Sequence, residues 1–381
     1  MHQVKIIEAS KLPPYDLGFG HPFAAHRQLP LFDLLHNLSL IKPEEILESE
    51  LAKKEELELA HAPEYIEMIE AISEENPAQE SLMRAFQFGM GSGDCPIAPG
   101  LHDSARAIAG GTLQSARAVA RGEAIHAYNP GGGLHHAMHR MASGFCIYND
   151  IVIGIREARK LGVDRVLYVD FDVHHGDGVE RAFYDDPSVL TLSFHESPDY
   201  LFPGTGRVNE TGEGKGKGFA VNVPLAPFTA DESWLEMINA VLIPIAKRFK
   251  PNLILSQHGC DTHFDDPLAN LCITTNAMQE AAKITHKLAH EVCDGKWVAV
   301  GGGGYQPYHC IPRVWTMVWA VMTGRELPEK IPEAWIKKWQ GDAGRPLPEK
   351  FLDDPHPDPR SQQVVEINKE TLEKLKRELN F

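Results

Sequence analysis

The sequence predicts an α/β domain on a single open, mostly parallel sheet, with helices on both faces and the site at the carboxyl ends of the strands. Two observations predict it. Short β-rich runs alternate with stretches of helical periodicity, the pattern of parallel strands joined by helical crossovers that cover both faces. Four of those runs also lead, at the same end, into clusters of histidine, aspartate or glycine, and ligands of such sheets bind outside the carboxyl ends of the strands.

The runs are VKIIEA (4–9), AIHAYN (124–129), RVLYVDFD (165–172), VLTLSFH (189–195), AVNVPL (220–225), NLILSQHG (252–259) and WVAVGGGGY (297–305). In DIVIGIREARKLGV, Ile151, Ile155, Ala158 and Leu161 recur at helical spacing behind a capping Asn149 or Asp150. DESWLEMINAVLIPIAKRFK reads as a helix capped by Asp231 and stopped at Pro251, and Pro244 inside it predicts a kink or a split. The glycine-alternating GEGKGKG (212–218) does not join a strand to a helix as a phosphate loop must, and reads as a mobile loop. The composition turns to proline and charge near residue 326. This predicts a main domain over 1–325 and an irregular extension over 326–381 packed on its surface. A short helix, with Leu372, Leu375 and Leu379 on one stripe, closes that extension.

The totals exclude several classes of function. Lysine plus arginine is 37 against 53 acidic residues, a net charge of −16, with no dense basic run to meet nucleic acid or an anionic membrane. The six cysteines are scattered without a C-x-x-C, which argues against a cysteine zinc module or a disulfide framework and for a reducing compartment. The N-terminus has no apolar signal stretch, and no run is long enough to span a bilayer, so the expected location is cytoplasmic.

The chemistry gathers where the strands end. DFDVHHGD (170–177) puts three carboxylates and two imidazoles at the mouth of a buried strand, a costly arrangement unless they bind a metal, pair or do chemistry. In extended backbone Asp170, Asp172 and His174 point to one face. Asp172 and His174 with a third oxygen ligand, Asp261 just beyond NLILSQHG, make a three-ligand set with an open position, as in catalytic zinc sites. His135 and His136 follow PGGG, whose glycines permit a sharp turn and close approach of a substrate. His135 and His139 stand at i, i+4, but the glutamate of the metalloprotease motif is missing, so that reading fails. Each of the adjacent histidines can instead meet a carboxylate, which fixes its tautomer and raises its basicity. Tyr305, after four glycines, can donate to a carbonyl oxygen as that oxygen gains charge.

PGGGLHHAMHRMASGFCIYND, YVDFDVHHGDGVERAFY, SFHESPDYLFPGTG, QHGCDTHFDDPLANL and GGGGYQPY, with the early GHPFAAHR, resemble the signature blocks of the zinc-dependent histone deacetylase family. They follow the same order over most of residues 18–320 and are most similar to the prokaryotic, acetoin-utilisation-type branch. The resemblance implies the arginase/deacetylase fold and hydrolysis of the acetyl amide of acetyl-lysine in a protein or peptide. It makes Asp172, His174 and Asp261 the ligands of one Zn2+, with Fe2+ a possible substitute. It makes His136, paired with Asp177, the general base and then acid, His135, paired with Asp170, an electrostatic partner, and Tyr305 the group that polarises the carbonyl. Phe145 and Phe202 would face each other across a tunnel, with Gly144 in its wall, Leu268 near its rim and Asp94 at the rim to bind substrate backbone. Arg27 would line an internal pocket for departing acetate. A K+ or Na+ ion would sit by Asp170, held by carbonyls of Asp172, His174 and Phe194 and the Ser193 hydroxyl.

Three rival readings remain to be weighed. Two-metal arginase-like ureohydrolases carry further carboxylates where this chain has Gly176 and His263, so that class lacks its ligands. Acetylpolyamine amidohydrolases share the catalytic set, but a polyamine-selective acidic gatekeeper is replaced here by Leu268. An inactive acyl-lysine-binding module would have lost a ligand or the tyrosine, and this sequence keeps both.

Overall fold

The computed structural model describes residues 3–8, 13–18, 20–24, 26–48 and 50–379. Among the described residues are eight strands: β1 (Val4–Ile7), β2 (Ile46–Leu47), β3 (His126–Asn129), β4 (Val166–Asp170), β5 (Val189–Glu196), β6 (Ala220–Leu225), β7 (Leu253–Gln257) and β8 (Trp297–Val300). They form one sheet in the order β2-β1-β3-β8-β7-β4-β5-β6, and every neighbouring pair is parallel. All seven predicted runs are strands. Ala9, the end of the first predicted run, lies outside the described residues. The unpredicted β2 is two half-buried residues at the sheet edge, too short to show a period.

Alternation along the strands divides the core in two. Leu167, Val169, Ile254, Trp297 and Ala299 face the helices Asp231–Phe249, Thr275–Val292 and Ile311–Thr323. Val166, Tyr168, Leu253, Leu255, Val298 and Val300 face the helices Leu101–Ala120 and Asp150–Lys160. Burial of both faces explains why these runs are apolar throughout rather than alternating with polar residues.

Asn149 caps its helix, its side chain accepting from Val152 N at 3.0 Å. Asp231 does not cap. Ala230 holds that position, and the Asp231 carboxylate instead accepts from Thr274 N (2.8 Å) and Thr274 Oγ1 (2.6 Å), tying two helices together. Pro244 does not split the helix Asp231–Phe249. It lies on the exposed side, where the carbonyl it leaves free can bond water. The predicted loop 212–218 contains a 3-10 turn at Gly214–Gly216, with Glu213 N donating to Tyr184 O at 2.8 Å. A Cβ on Gly216 would stand 2.5 Å from Tyr184 O, so that glycine serves close backbone approach.

The expected short terminal helix is a long one, Pro359–Leu379, of 21 residues. Its first half has no apolar stripe to reveal it. Buried Asn368 anchors it, accepting from Ala226 N (3.0 Å) and donating to Thr229 Oγ1 (2.8 Å) and Ser233 Oγ (2.9 Å). Further back, buried Trp335 donates to Pro30 O at 2.8 Å. Asp353 accepts from buried Arg313 Nη1 (2.7 Å) and from Thr275 N (2.9 Å), and contacts His263 Nε2 (3.0 Å).

That junction yields a prediction. Burial works against the Asp353 carboxylate, but His263 and Arg313 outweigh it and hold its pKa well below the usual range. A carboxylate so depressed stabilises the fold above its unfolded pKa of about 3.9, and the contribution is lost as pH falls through the folded value. Asp353→Ala leaves a buried guanidinium unpaired and should cost about 3 kcal/mol at pH 7, read from urea denaturation, with the difference from wild type shrinking below about pH 4.

Candidate active site and metal centre

The strands β3, β8, β7 and β4 are consecutive in the middle of the sheet, so their four carboxyl-end loops emerge side by side. Beyond β4, backbone amides organise the carboxylates. Asp170 Oδ1 accepts from Asp172 N (3.1 Å), Asp172 Oδ1 from His174 N (3.0 Å), and Asp261 Oδ1 from Val173 N (3.0 Å). His174 Nδ1 then lies 3.1 Å from both Asp172 Oδ1 and Asp261 Oδ2, and the three donor groups fall within 4.8 Å of one another.

Charge makes this cluster fit a cation. Asp172 and Asp261 are at most 1% exposed, so burial, and then the charge of Asp172, push the Asp261 pKa up to about 6. Burial opposes the His174 imidazolium, yet its two carboxylate partners lift its pKa to about 10. The pair therefore demands positive charge between its oxygens, and two oxygens with one imidazole suit a borderline divalent ion. The backbone leaves room: a Cβ on Gly303 would lie 2.0 Å from Asp261 Oδ2, and one on Gly259 2.3 Å from Asp172 Oδ2.

Both predicted histidine–aspartate pairs are present. His135 Nδ1 is 2.8 Å from Asp170 Oδ2, and His136 Nδ1 is 2.7 Å from Asp177 Oδ1. Their Nε2 atoms are 2.9 Å apart, so the two rings share one proton across the gap. Burial disfavours a charge on both, but Asp170 and Asp172 outweigh it at His135 and raise its pKa to about 9. His136 falls to about 4, through burial and then the charge of His135. The two histidines are thus unlike, with the shared proton on His135 and the accepting lone pair on His136. His139 turns away, bonding Ala60 O at 2.8 Å. His175 is not part of the cluster either, contacting Thr205 Oγ1 at 2.9 Å and Glu180 Oε2 at 3.3 Å.

The approach to the cluster is aromatic. The Phe202 ring stands 5.0 Å from that of His136, and the Phe145 ring 5.8 Å from that of Tyr305. Between Phe202 and His136 a Cβ on Gly144 would meet His136 Cδ2 at 2.5 Å and Phe202 Cε1 at 2.9 Å. Leu268 is half-buried, and Asp94 is exposed in a turn closed by Gly91 N to Cys95 O at 2.8 Å. His21 joins that turn to the aromatic wall, packing edge-on against Phe145 at 4.5 Å, and burial lowers its pKa although Asp94 opposes the shift. Burial, with Asp261 and Asp172 adding, holds the Tyr305 hydroxyl well above its usual pKa, so it stays a donor. Arg27 is 2% exposed beneath, its guanidinium 3.7 Å over Phe23 and 5.2 Å from Trp315. Its Nε and Nη2 are buried without partners. Ser193 pairs with Asp170 across β4–β5, and its hydroxyl lies 2.8 Å from His195 Nδ1, beside buried Phe194.

The Histone deacetylase domain profile matches residues 21–322. The acetoin utilization protein AcuC of Bacillus subtilis (strain 168) is 43% identical over 358 residues, 93% of this chain and 92% of that protein. AcuC of Staphylococcus aureus (strain MRSA252) is 38% identical over 312 residues, 82% of this chain and 79% of that one. The chain belongs to the histone deacetylase family. A crystal structure of an HDAC homolog complexed with SAHA superposes with a TM-score of 0.86 at 32% identity, covering 98% of this chain and 100% of that one. The HDAC homolog from Aquifex aeolicus gives 0.83 at 31% identity, covering 96% and 100%. The protein is a deacetylase with the arginase/deacetylase fold. No described helix is long and apolar enough to cross a membrane.

Three residues that hold this deacetylase site together escaped the sequence reading. Asp150, read only as a possible cap, is fully buried and accepts from Gly133 N (3.0 Å) and Leu134 N (2.7 Å), fixing the loop ahead of the paired histidines. Asp266 accepts from Tyr305 N (2.9 Å) and Leu268 N (3.0 Å), joining the tyrosine to the Leu268 turn. Gln257, the last residue of β7, donates to Asp172 Oδ2 at 2.5 Å, where Gly303 N also donates at 2.7 Å. A polar residue ending a buried apolar strand was the one signal for it. Gln257→Ala removes one of the two donors that orient Asp172 Oδ2, and metal affinity measured against a competing chelator should fall about 10–100-fold.

Proposed function

We propose that this deacetylase hydrolyses the acetyl amide of acetyl-lysine in proteins, using zinc held by Asp172, His174 and Asp261. What supports the reading is an aromatic approach formed by Phe145 and Phe202 around Gly144, beside two histidines whose pKa values are displaced in opposite directions, with uncharged Leu268 assigned to its rim. A neutral acetyl-lysine stem suits that passage, and an unmodified ammonium does not. Bound at the cluster, zinc would polarise the amide carbonyl and acidify a water, and the same donor set accepts iron(II).

The chain's own groups do the rest. His136, neutral at Nε2 and held by Asp177 at Nδ1, takes the proton of the attacking water and returns it to the departing lysine nitrogen as the C–N bond breaks. His135, held by Asp170, keeps its positive charge beside it. Tyr305 donates from its hydroxyl to the carbonyl oxygen as charge builds there. Asp94 accepts from substrate backbone at the rim. Arg27, with two unpartnered donors, receives the carboxylate product. The carbonyls of Asp172, His174 and Phe194 and the Ser193 hydroxyl would hold a monovalent cation near Asp170. His195 Nε2 lies 2.8 Å from Gly206 O and donates there, so Nδ1 accepts the Ser193 proton and leaves the hydroxyl lone pairs for that ion.

An acetyl-lysine peptide assayed beside acetylated spermidine and putrescine tests the reading. Peptide turnover is expected, removed by chelation and lowered at least about 100-fold by Tyr305→Phe. Turnover confined to the polyamines would assign the site to small-molecule amides, and binding without turnover would make the chain an acyl-lysine reader.

A further inference from the structure

A second cluster of histidines lies at the other end of the sheet. His126 is the first residue of β3, so it sits at the amino ends of the strands, opposite the deacetylase site. His286 and His290 are one turn apart on the helix Thr275–Val292 and project toward it. His286 Nε2 is 3.1 Å from His126 Nε2 and 3.2 Å from His290 Nε2, and the ligand atoms of all three lie within 4.8 Å of one another. A tetrahedral ion with metal–nitrogen bonds of about 2.0–2.1 Å holds its nitrogens roughly 3.3–3.4 Å apart, close to this spacing.

Hydrogen bonding does not account for the arrangement. The Nε2 of His286 carries either one proton or one lone pair, so it can satisfy only one of its two imidazole neighbours. A cation satisfies all three. The rings meet edge to face at centroid distances of 4.9, 5.2 and 4.7 Å, with Trp297 5.6 Å from His126 and 5.9 Å from His286. The Gly295 backbone closes against His290, where a Cβ would lie 2.8 Å from Cε1. Burial, and then the two neighbouring imidazoles, lower the His126 pKa to about 3, which leaves the neutral form that a metal needs. The nearby cations are engaged, Lys283 with Glu280 at 3.4 Å and Lys287 with Glu291 at 3.9 Å. His286 also lines a groove of about 760 Å3, shared with Gln279, Lys283 and Arg325, that gives an ion access from solvent.

We propose that His126, His286 and His290 form a second metal site, in which three neutral imidazoles take a zinc-class divalent ion and leave a fourth position open to solvent. The ion would clip the helix Thr275–Val292 to the start of β3. The site is independent of the deacetylase reading and shares no residue with it.

Zinc binding to metal-stripped full-length protein, by calorimetry and by metal analysis after dialysis, provides the test. Wild type should bind two equivalents, and His286→Gln/His290→Gln one, with deacetylation of an acetyl-lysine peptide unchanged. Asp172→Asn/Asp261→Asn should keep one equivalent, lost when the histidine changes are added. Cobalt(II) in that carboxylate variant should give the visible absorption of a tetrahedral site, absent from the fourfold variant. The histidine substitutions lie on a helix surface, and equal thermal midpoints of the metal-free forms would establish that they fold. A carboxylate variant that binds no zinc, or a histidine variant that binds as much zinc as wild type, would overturn the proposal.

Discussion

Two buried carboxylates that need a cation between them govern the rest of the site. Asp172 and Asp261 come from different strands and are excluded from water, so their repulsion is relieved only by positive charge or by protonation. Several groups supply that charge or donate to the oxygens: the His174 ring, the amides of Val173, His174 and Gly303, and the Gln257 side chain. The glycines at 259 and 303 follow from the same constraint, because a side chain at either would occupy the space of a carboxylate oxygen.

A parallel sheet suits such a demand. Its strands all deliver their carboxyl ends to one edge, and the loops of four adjacent strands bring the histidines, the carboxylates and Tyr305 together. The loops are then fastened from behind. Asp150 holds the glycine turn ahead of His135, and Asp266 holds Tyr305. Asp353 reaches in from the C-terminal segment to His263, two residues past Asp261, so residues beyond the matched domain also brace the site.

The two histidine groupings show how environment divides one side chain among different tasks. His135 and His136 each face a carboxylate, and their unequal shares of negative charge separate their basicities. His126, His286 and His290 pack against one another and an indole rather than a carboxylate, and burial lowers the pKa of His126 and His286.

Much of this protein was legible in one dimension because the signals were local. Apolar runs marked seven of eight strands, period two put Asp172 and His174 on one face, and long motif blocks identified the family and the candidate site. Contacts between distant segments were not legible. Nothing local told Asp231 to bond Thr274 rather than cap its helix, or continued the terminal helix back to Pro359, since both depend on partners more than forty residues away. The same holds for Gln257 on Asp172 and for His126 meeting His286, 160 residues later. A sequence records residue types and their spacing along the chain. Which polar groups share a buried space is decided only when the sheet order brings their strands and helices side by side, because burial and pairing are properties of that space.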